Sequence, residues 1–218
     1  MNEPGKIKSK LTDHNDAKTM LLKANQAHGG HALDIIKTMR YSAVIMGVKA
    51  VSYIDIFSHK LRIELWENDN LVSVEQIDGN NSWRWLQGNK APMPPNRIAE
   101  MKSTFYSGLL GLRKPALKKM HVINIQELKN NTYSVLGRLE GNEYIFAINS
   151  QNLLVAEANK TSGRTSVSAL SDLRLVQGIM IPFKETVTTG FKKLVIEYND
   201  FEINPEIANS NWNIPAGT

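Results

Sequence analysis

The sequence predicts an α+β protein that is mainly antiparallel β, with one curved sheet and two helices against its concave face. Three observations predict it. Apolar runs of strand length recur from residue 36 to 87 and again from 122 to 203, separated by short polar breaks. Two stretches, near 15–27 and 96–112, carry helical spacing instead. The last strand also changes apolar parity partway, which marks a bend in the sheet.

The C-terminal run shows the strand pattern most clearly. Phe183, Glu185 and Val187 alternate with Lys184, Thr186 and Thr188, and Thr189-Gly190 supplies a turn. Leu194, Ile196 and Tyr198 share one face of the return strand. Phe201 and Ile203 fall on the other parity, so a bulge is expected near Asn199-Asp200. Val176-Gln177-Gly178-Ile179 reads as a tighter turn. Pro182 has no N–H to donate, which suits a strand start or an edge.

Composition bounds the function classes. The 218 residues suit one domain with a sizeable core, assigned to 14–218 behind a flexible polar arm at 1–13. A net charge of +5 is too mild to indicate nucleic acid, and no nucleic-acid partner is expected. Cysteine is absent, which excludes disulfides and thiolate metal sites. No apolar run approaches the roughly 18 residues that would span a membrane as a helix. No signal peptide opens the chain, and Met1 to Gly5 reads as a trimmed start.

Along the chain, Asn15 or Asp16 can cap a helix carrying Ala17, Met20, Leu21, Ala24 and Ala27 on one face. Gly29-Gly30 ends it. Tyr41 to Val48 is apolar on both parities apart from Ser42, so both its faces should be covered. Asp78-Gly79-Asn80-Asn81 is a hairpin turn, and Trp83 and Trp85 share one face of the returning strand. Pro92, Pro94 and Pro95 interrupt the sheet. The helix that follows carries Ile98, Met101, Phe105, Leu109 and Leu112, with Gly108 and Gly111 weakening its second half.

Catalytic constellations are not evident, and the chain is read as non-enzymatic without a cofactor. His28-Gly29-Gly30-His31 could take Asp34 as a third metal ligand, but a Gly-rich helix end does not make a rigid site, and no nucleophile elbow exists for an oxyanion loop. It reads most simply as a helix cap with solvated histidines. Glu64 beside Lys60 and Arg62 reads as a cross-strand charge ladder. Arg113, Lys114, Lys118 and Lys119 form the densest basic run. It reads as a solvated loop, or as a patch for a membrane surface or an acidic membrane-bound partner. Apolar excess and soft methionines suggest a lined cavity, although a filled core would absorb the same residues.

Three short motifs then carry a family likeness. They are Gly29-Gly30 with Leu33 and Lys37-Thr38, Asp78-Gly79 with Trp83-x-Trp85, and the tail. In the tail, Gly178-Ile179, Ile181-Pro182, Asn204 and Trp212-Asn213-Ile214-Pro215 stand in order. Together they resemble the LolA/LolB-type lipoprotein-carrier superfamily over roughly residues 15–216. The resemblance implies an incomplete, half-open β-barrel of about eleven strands with helices on the concave side. It implies a periplasmic, monomeric carrier that binds lipid or a lipoprotein acyl chain. The rival reading is a periplasmic interaction scaffold of the same fold with a filled core. Arg62 falls in the strand where such carriers hold an arginine, although the proline usual just ahead of it is missing. The cavity residues expected on this basis are Tyr41, Ile45, Arg62, Trp83, Trp85, Ile98, Met101, Phe105 and Leu109.

Overall fold

The computed structural model describes residues 14–79 and 81–215. The arm at 1–13 lies outside them, as does Asn80 of the predicted hairpin turn. Six strands come first: β1 (Thr38–Ile45), β2 (Val48–Asp55), β3 (Lys60–Glu67), β4 (Asn70–Asp78), β5 (Asn81–Leu86) and β6 (Asn89–Pro92). Seven follow: β7 (His121–Glu127), β8 (Tyr133–Leu139), β9 (Asn142–Ile148), β10 (Leu154–Thr161), β11 (Arg164–Val176), β12 (Ile179–Thr189) and β13 (Lys192–Ile203). They form one open antiparallel sheet in the order β6 to β1, then β13 to β7. Each half is a plain meander. The halves meet where β1 pairs with β13, so the two ends of the sheet sequence lie at its centre.

The fold is the expected half-open, curved sheet with helices on one face, built from thirteen strands. Twelve follow the apolar runs. The extra one is β6, where Pro92 pairs with Trp83 although the prolines were expected to keep this segment out of the ladder. An edge strand needs hydrogen bonds on one side only, so a proline at its last pair costs little. The expected bulge is present. Ser42 opposes Asp200 and Ala43 opposes Tyr198, leaving Asn199 without a partner across from β1. The side chains of Tyr198, Phe201 and Ile203 therefore all reach the helix-covered face. Pro182 also fits, because β12 pairs with β13 only from Lys184 onward.

Three expectations are corrected here. The stretch 41–48 is not one strand covered on both faces. Met46 and Gly47, both at positive φ, turn the chain between β1 and β2, and Met46 is 85% exposed. The helix expected at 96–112 is broken into α3 (Pro95–Ser103), a 3₁₀ turn (Thr104–Tyr106) and α4 (Gly108–Gly111). Gly108 has φ 52°, which ends one helical direction and starts the next. The basic run is also not a loop, since Lys114–Lys119 forms a further helix, α5.

The N-terminal helix α1 (His14–Ala27) packs Ala17, Leu21 and Ala24 against β7 and β8, and the short helix α2 (His31–Asp34) follows it. Its described part runs from His14, which places Asn15 and Asp16 within the helix. Its end is fixed by His28, which is buried rather than solvated as expected. The ring donates from Nδ1 to the Met180 carbonyl at 2.6 Å, and Nε2 accepts from the Leu154 N–H at 2.9 Å. That pair of roles requires a neutral imidazole. Burial accordingly holds its pKa below the ordinary value, against the Met180 bond. Gly29 is needed beside it. A Cβ at that position would lie 2.6 Å from the Gly178 carbonyl oxygen, and φ is 119°. Thus one imidazole joins α1, the start of β10 and the start of β12.

Replacing His28 by Ala leaves a buried carbonyl and a buried N–H without partners. A loss of about 2–4 kcal/mol in urea denaturation is expected.

Candidate ligand cavity on the concave face

Alternation along each strand, carried across the sheet by its register, decides which side chains meet the helices. Met39, Ile54, Leu61 and Ile77 lie on that face in the first half, and Val135, Tyr144, Phe146 and Ile148 lie on it in the second. All are buried in the main core. Between these two apolar zones the same face turns polar. It carries Glu157, Asn159 and Thr161 on β10, Ser166 and Ser168 on β11 and Glu185 on β12.

A cavity of about 560 Å³ opens there, between β10–β13 with the adjoining β1 and the segment α3–α4. Its apolar wall includes Met39, Tyr41, Leu109, Ile181, Ile196 and Phe201. Tyr41 sets its ring against Tyr198 at 5.5 Å and Phe201 at 5.3 Å. Arg97, Glu100 and Arg164 also line it. They form a chain in which Arg97 is 2.6 Å from Glu75, and Glu100 reaches Arg97 at 3.4 Å and Arg164 at 3.5 Å.

Two carboxylates have no such cations. Glu185 accepts from the Tyr198 hydroxyl at 2.6 Å. Glu157 Oε2 is shielded from solvent and has no hydrogen-bond partner. Burial, and then the charge of Glu185, push Glu157 up to about 8, while the Gly108 N–H pulls the other way. Burial and the same Glu185 charge raise Tyr198 well above its ordinary value.

The expected site residues are divided by this geometry. Tyr41 and Leu109 line the cavity. Ile45 shares the face of Tyr41 but stands at the end of β1 beside Ile196, outside the lining. Ile98 packs on the main core, and Met101 and Phe105 are part of it at 2% and 3% exposure. Phe105 also lines a second, shallower groove of about 410 Å³ with His59, Tyr106 and Phe57.

Arg62, Trp83 and Trp85 point to the opposite face of the sheet. The tryptophans pack with Val74 in a small separate cluster. Arg62 is buried beside them, donating to Glu64 at 2.7 Å, to Gln76 at 3.0 Å and to the Asn213 carbonyl at 2.9 Å. Gln76 donates in turn to the Trp212 carbonyl at 2.9 Å. Glu64 is thus a buried partner on the same strand and not a rung of an exposed cross-strand ladder. The tail also ties down earlier, where the Asn204 side chain accepts from the Lys37 N–H at 2.7 Å.

The residues that sequence reasoning missed are Glu157, Glu185, Glu100 and Arg164. Glu185 had a signal, because it shares its parity with Phe183 and Val187. Glu157 had little, since polar residues at successive odd positions of β10 read as a solvent face. Among the described residues no group of three or more His, Asp or Glu side chains is placed to hold a metal ion. No helix there is long and apolar enough to cross a membrane.

An open antiparallel half-barrel holding a cavity under a helical strap defines the class, and that architecture is the LolA-type fold. Among solved structures, a DUF1329 family protein from Desulfovibrio piger superposes with a TM-score of 0.62 at 10% identity, over 93% of this chain and 98% of that one. A LolA superfamily protein from Nitrosomonas europaea gives 0.56 at 12% identity, over 91% and 97%. No family model and no curated protein matches the sequence. At such identities the likeness establishes fold alone.

Arg62→Ala should remove the cation paired with buried Glu64 and cost about 3–5 kcal/mol. Ligand uptake by the cavity on the other face should be unchanged in the folded fraction, as checked by paired denaturation and binding measurements.

Proposed function

We propose that the chain is a non-catalytic, extracytoplasmic carrier that holds a lipid, or the acyl chain of a lipoprotein, in the concave cavity. The observation that carries this reading is the cavity itself. Its volume falls in the range of small-molecule sites, about 300–1,000 Å³, and one wall is apolar while the other is polar. That division suits an amphiphile, whose tail and head need different surroundings. The LolA-type fold supports, by analogy, both this reading and a periplasmic location. The alternative, an interaction scaffold with a filled core, draws support from Met101 and Phe105, which pack as permanent core.

The basic run contributes less than its charge count suggests. Arg113 is buried, and Lys114 lies 3.5 Å from Asp34. Lys118 and Lys119 are exposed for contact with an anionic membrane surface, and Lys119, which also stands over the Tyr106 ring at 5.8 Å, shares the second groove with the exposed Phe57.

Native mass spectrometry of protein from a membrane-containing host should show co-purified lipid. Leu109→Arg should abolish that adduct with a modest fall in melting temperature. Phe105→Ala should instead cost about 3–5 kcal/mol of stability and retain the adduct. Absence of lipid from all three proteins would favour the scaffold.

A further inference from the structure

The polar wall of the cavity is not neutral in character, and its chemistry selects among amphiphiles. Glu157 on β10 and Glu185 on β12 line the same concave face with β11 between them, and among the described residues no arginine or lysine is paired to either. Glu157 Oε2 faces the 3₁₀–α4 bend at Gly108 with no donor to satisfy it. A buried carboxylate oxygen without a partner is costly, and native proteins rarely keep one without a use.

The groups around it are neutral or already engaged, with Ser168 directly across on β11 and Asn159 and Thr161 further along β10. From α4 comes the Gly108 N–H, and from β13 the Tyr198 hydroxyl, which is already given to Glu185. Tyr41 on β1 stands directly across from Ser52 on β2. Arg97 on α3 and Arg164 on β11 are both engaged by Glu100. What the inner wall lacks is a cationic donor.

We propose that this wall binds a protonated amine, so that the cavity takes an amine-bearing amphiphile in preference to a fatty acid. The inference rests on the carrier reading of the same cavity. The apolar residues Leu109, Ile181, Ile196 and Phe201 would hold the chain, and Glu157 with Glu185 would hold the ammonium group. A cation there offsets the repulsion between the two carboxylates and supplies the donor that Glu157 Oε2 lacks. Binding then displaces the proton that Glu157 keeps near neutral pH in the empty cavity. Affinity should therefore rise as pH is raised from about 6 to about 9, a range over which an alkylamine stays charged and Glu157 ionises.

The test compares three probes of equal chain length, dodecylamine, dodecanol and dodecanoate, titrated below their micelle concentrations into the full chain. Dodecylamine should bind about tenfold or more tighter than dodecanol at about pH 8, and dodecanoate weakest. Glu157→Gln is isosteric. It should remove the preference for the amine and its pH dependence, while dodecanol still binds and the melting temperature is kept. Glu185→Gln should weaken the amine preference in the same direction. Equal binding of all three probes would overturn the amine site and leave the carrier intact. Preference for dodecanoate would overturn it too, and would point to Arg97 or Arg164 as the anchor. Binding of none of the three would overturn both readings.

Discussion

The pairing of β1 with β13 is the interaction on which the rest of the structure depends. Every other strand pair joins neighbours in sequence, so each half of the sheet could form by local hairpins. Only this seam makes the two meanders one surface. It also bends that surface. The unpaired residue at Asn199 shifts the parity of β13, so that Tyr198 and Phe201 both reach the helical side and close on Tyr41. The apolar wall of the cavity is therefore a product of the seam. Without the bulge, either Tyr198 or Phe201 would face outward.

Burial on the two faces of this sheet follows opposite rules. The helix-covered face is apolar over β1–β4 and β8–β9 and polar over β10–β12, where the strap of α3–α4 leaves space. The opposite face is expected to meet water, yet it buries Arg62, Glu64 and Gln76 under the tail. There each polar group is satisfied, and the ion pair fixes where the tail lies. In the cavity a carboxylate oxygen is left unsatisfied. A fully bonded network positions a segment, whereas an unfilled one leaves capacity for a ligand.

Much of the fold was legible from period and punctuation. The bulge followed from a parity slip at Phe201, and the hairpin turns followed from Gly79, Gly178 and Gly190. The cavity was less legible, because period-two reading sends polar side chains to solvent by default. Glu157 and Ser168 break that rule, and only the cross-strand register shows it. Arg62 and the two tryptophans were placed on the wrong side for a related reason. Alternation separates two faces but does not say which one curves inward. His28 was misread because its partners, Met180 and Leu154, lie more than a hundred residues away.

The tail closes a circuit in time as well as in space. Strands β3 to β5 are complete by Leu86, but the outer cover of Arg62 and Gln76 comes from Trp212 and Asn213. A chain emerging from the ribosome would present those charges, and the tryptophan cluster beside them, while more than half its length is still being made. β1 waits as well, because its second neighbour is the last strand. The first half can gather its hairpins early yet cannot finish. Its central strand is an open edge of the kind that recruits other chains. Folding chaperones would meet this protein as a prolonged intermediate, and the docking of Trp212 and Asn213 over Arg62 and Gln76 marks the completed sheet.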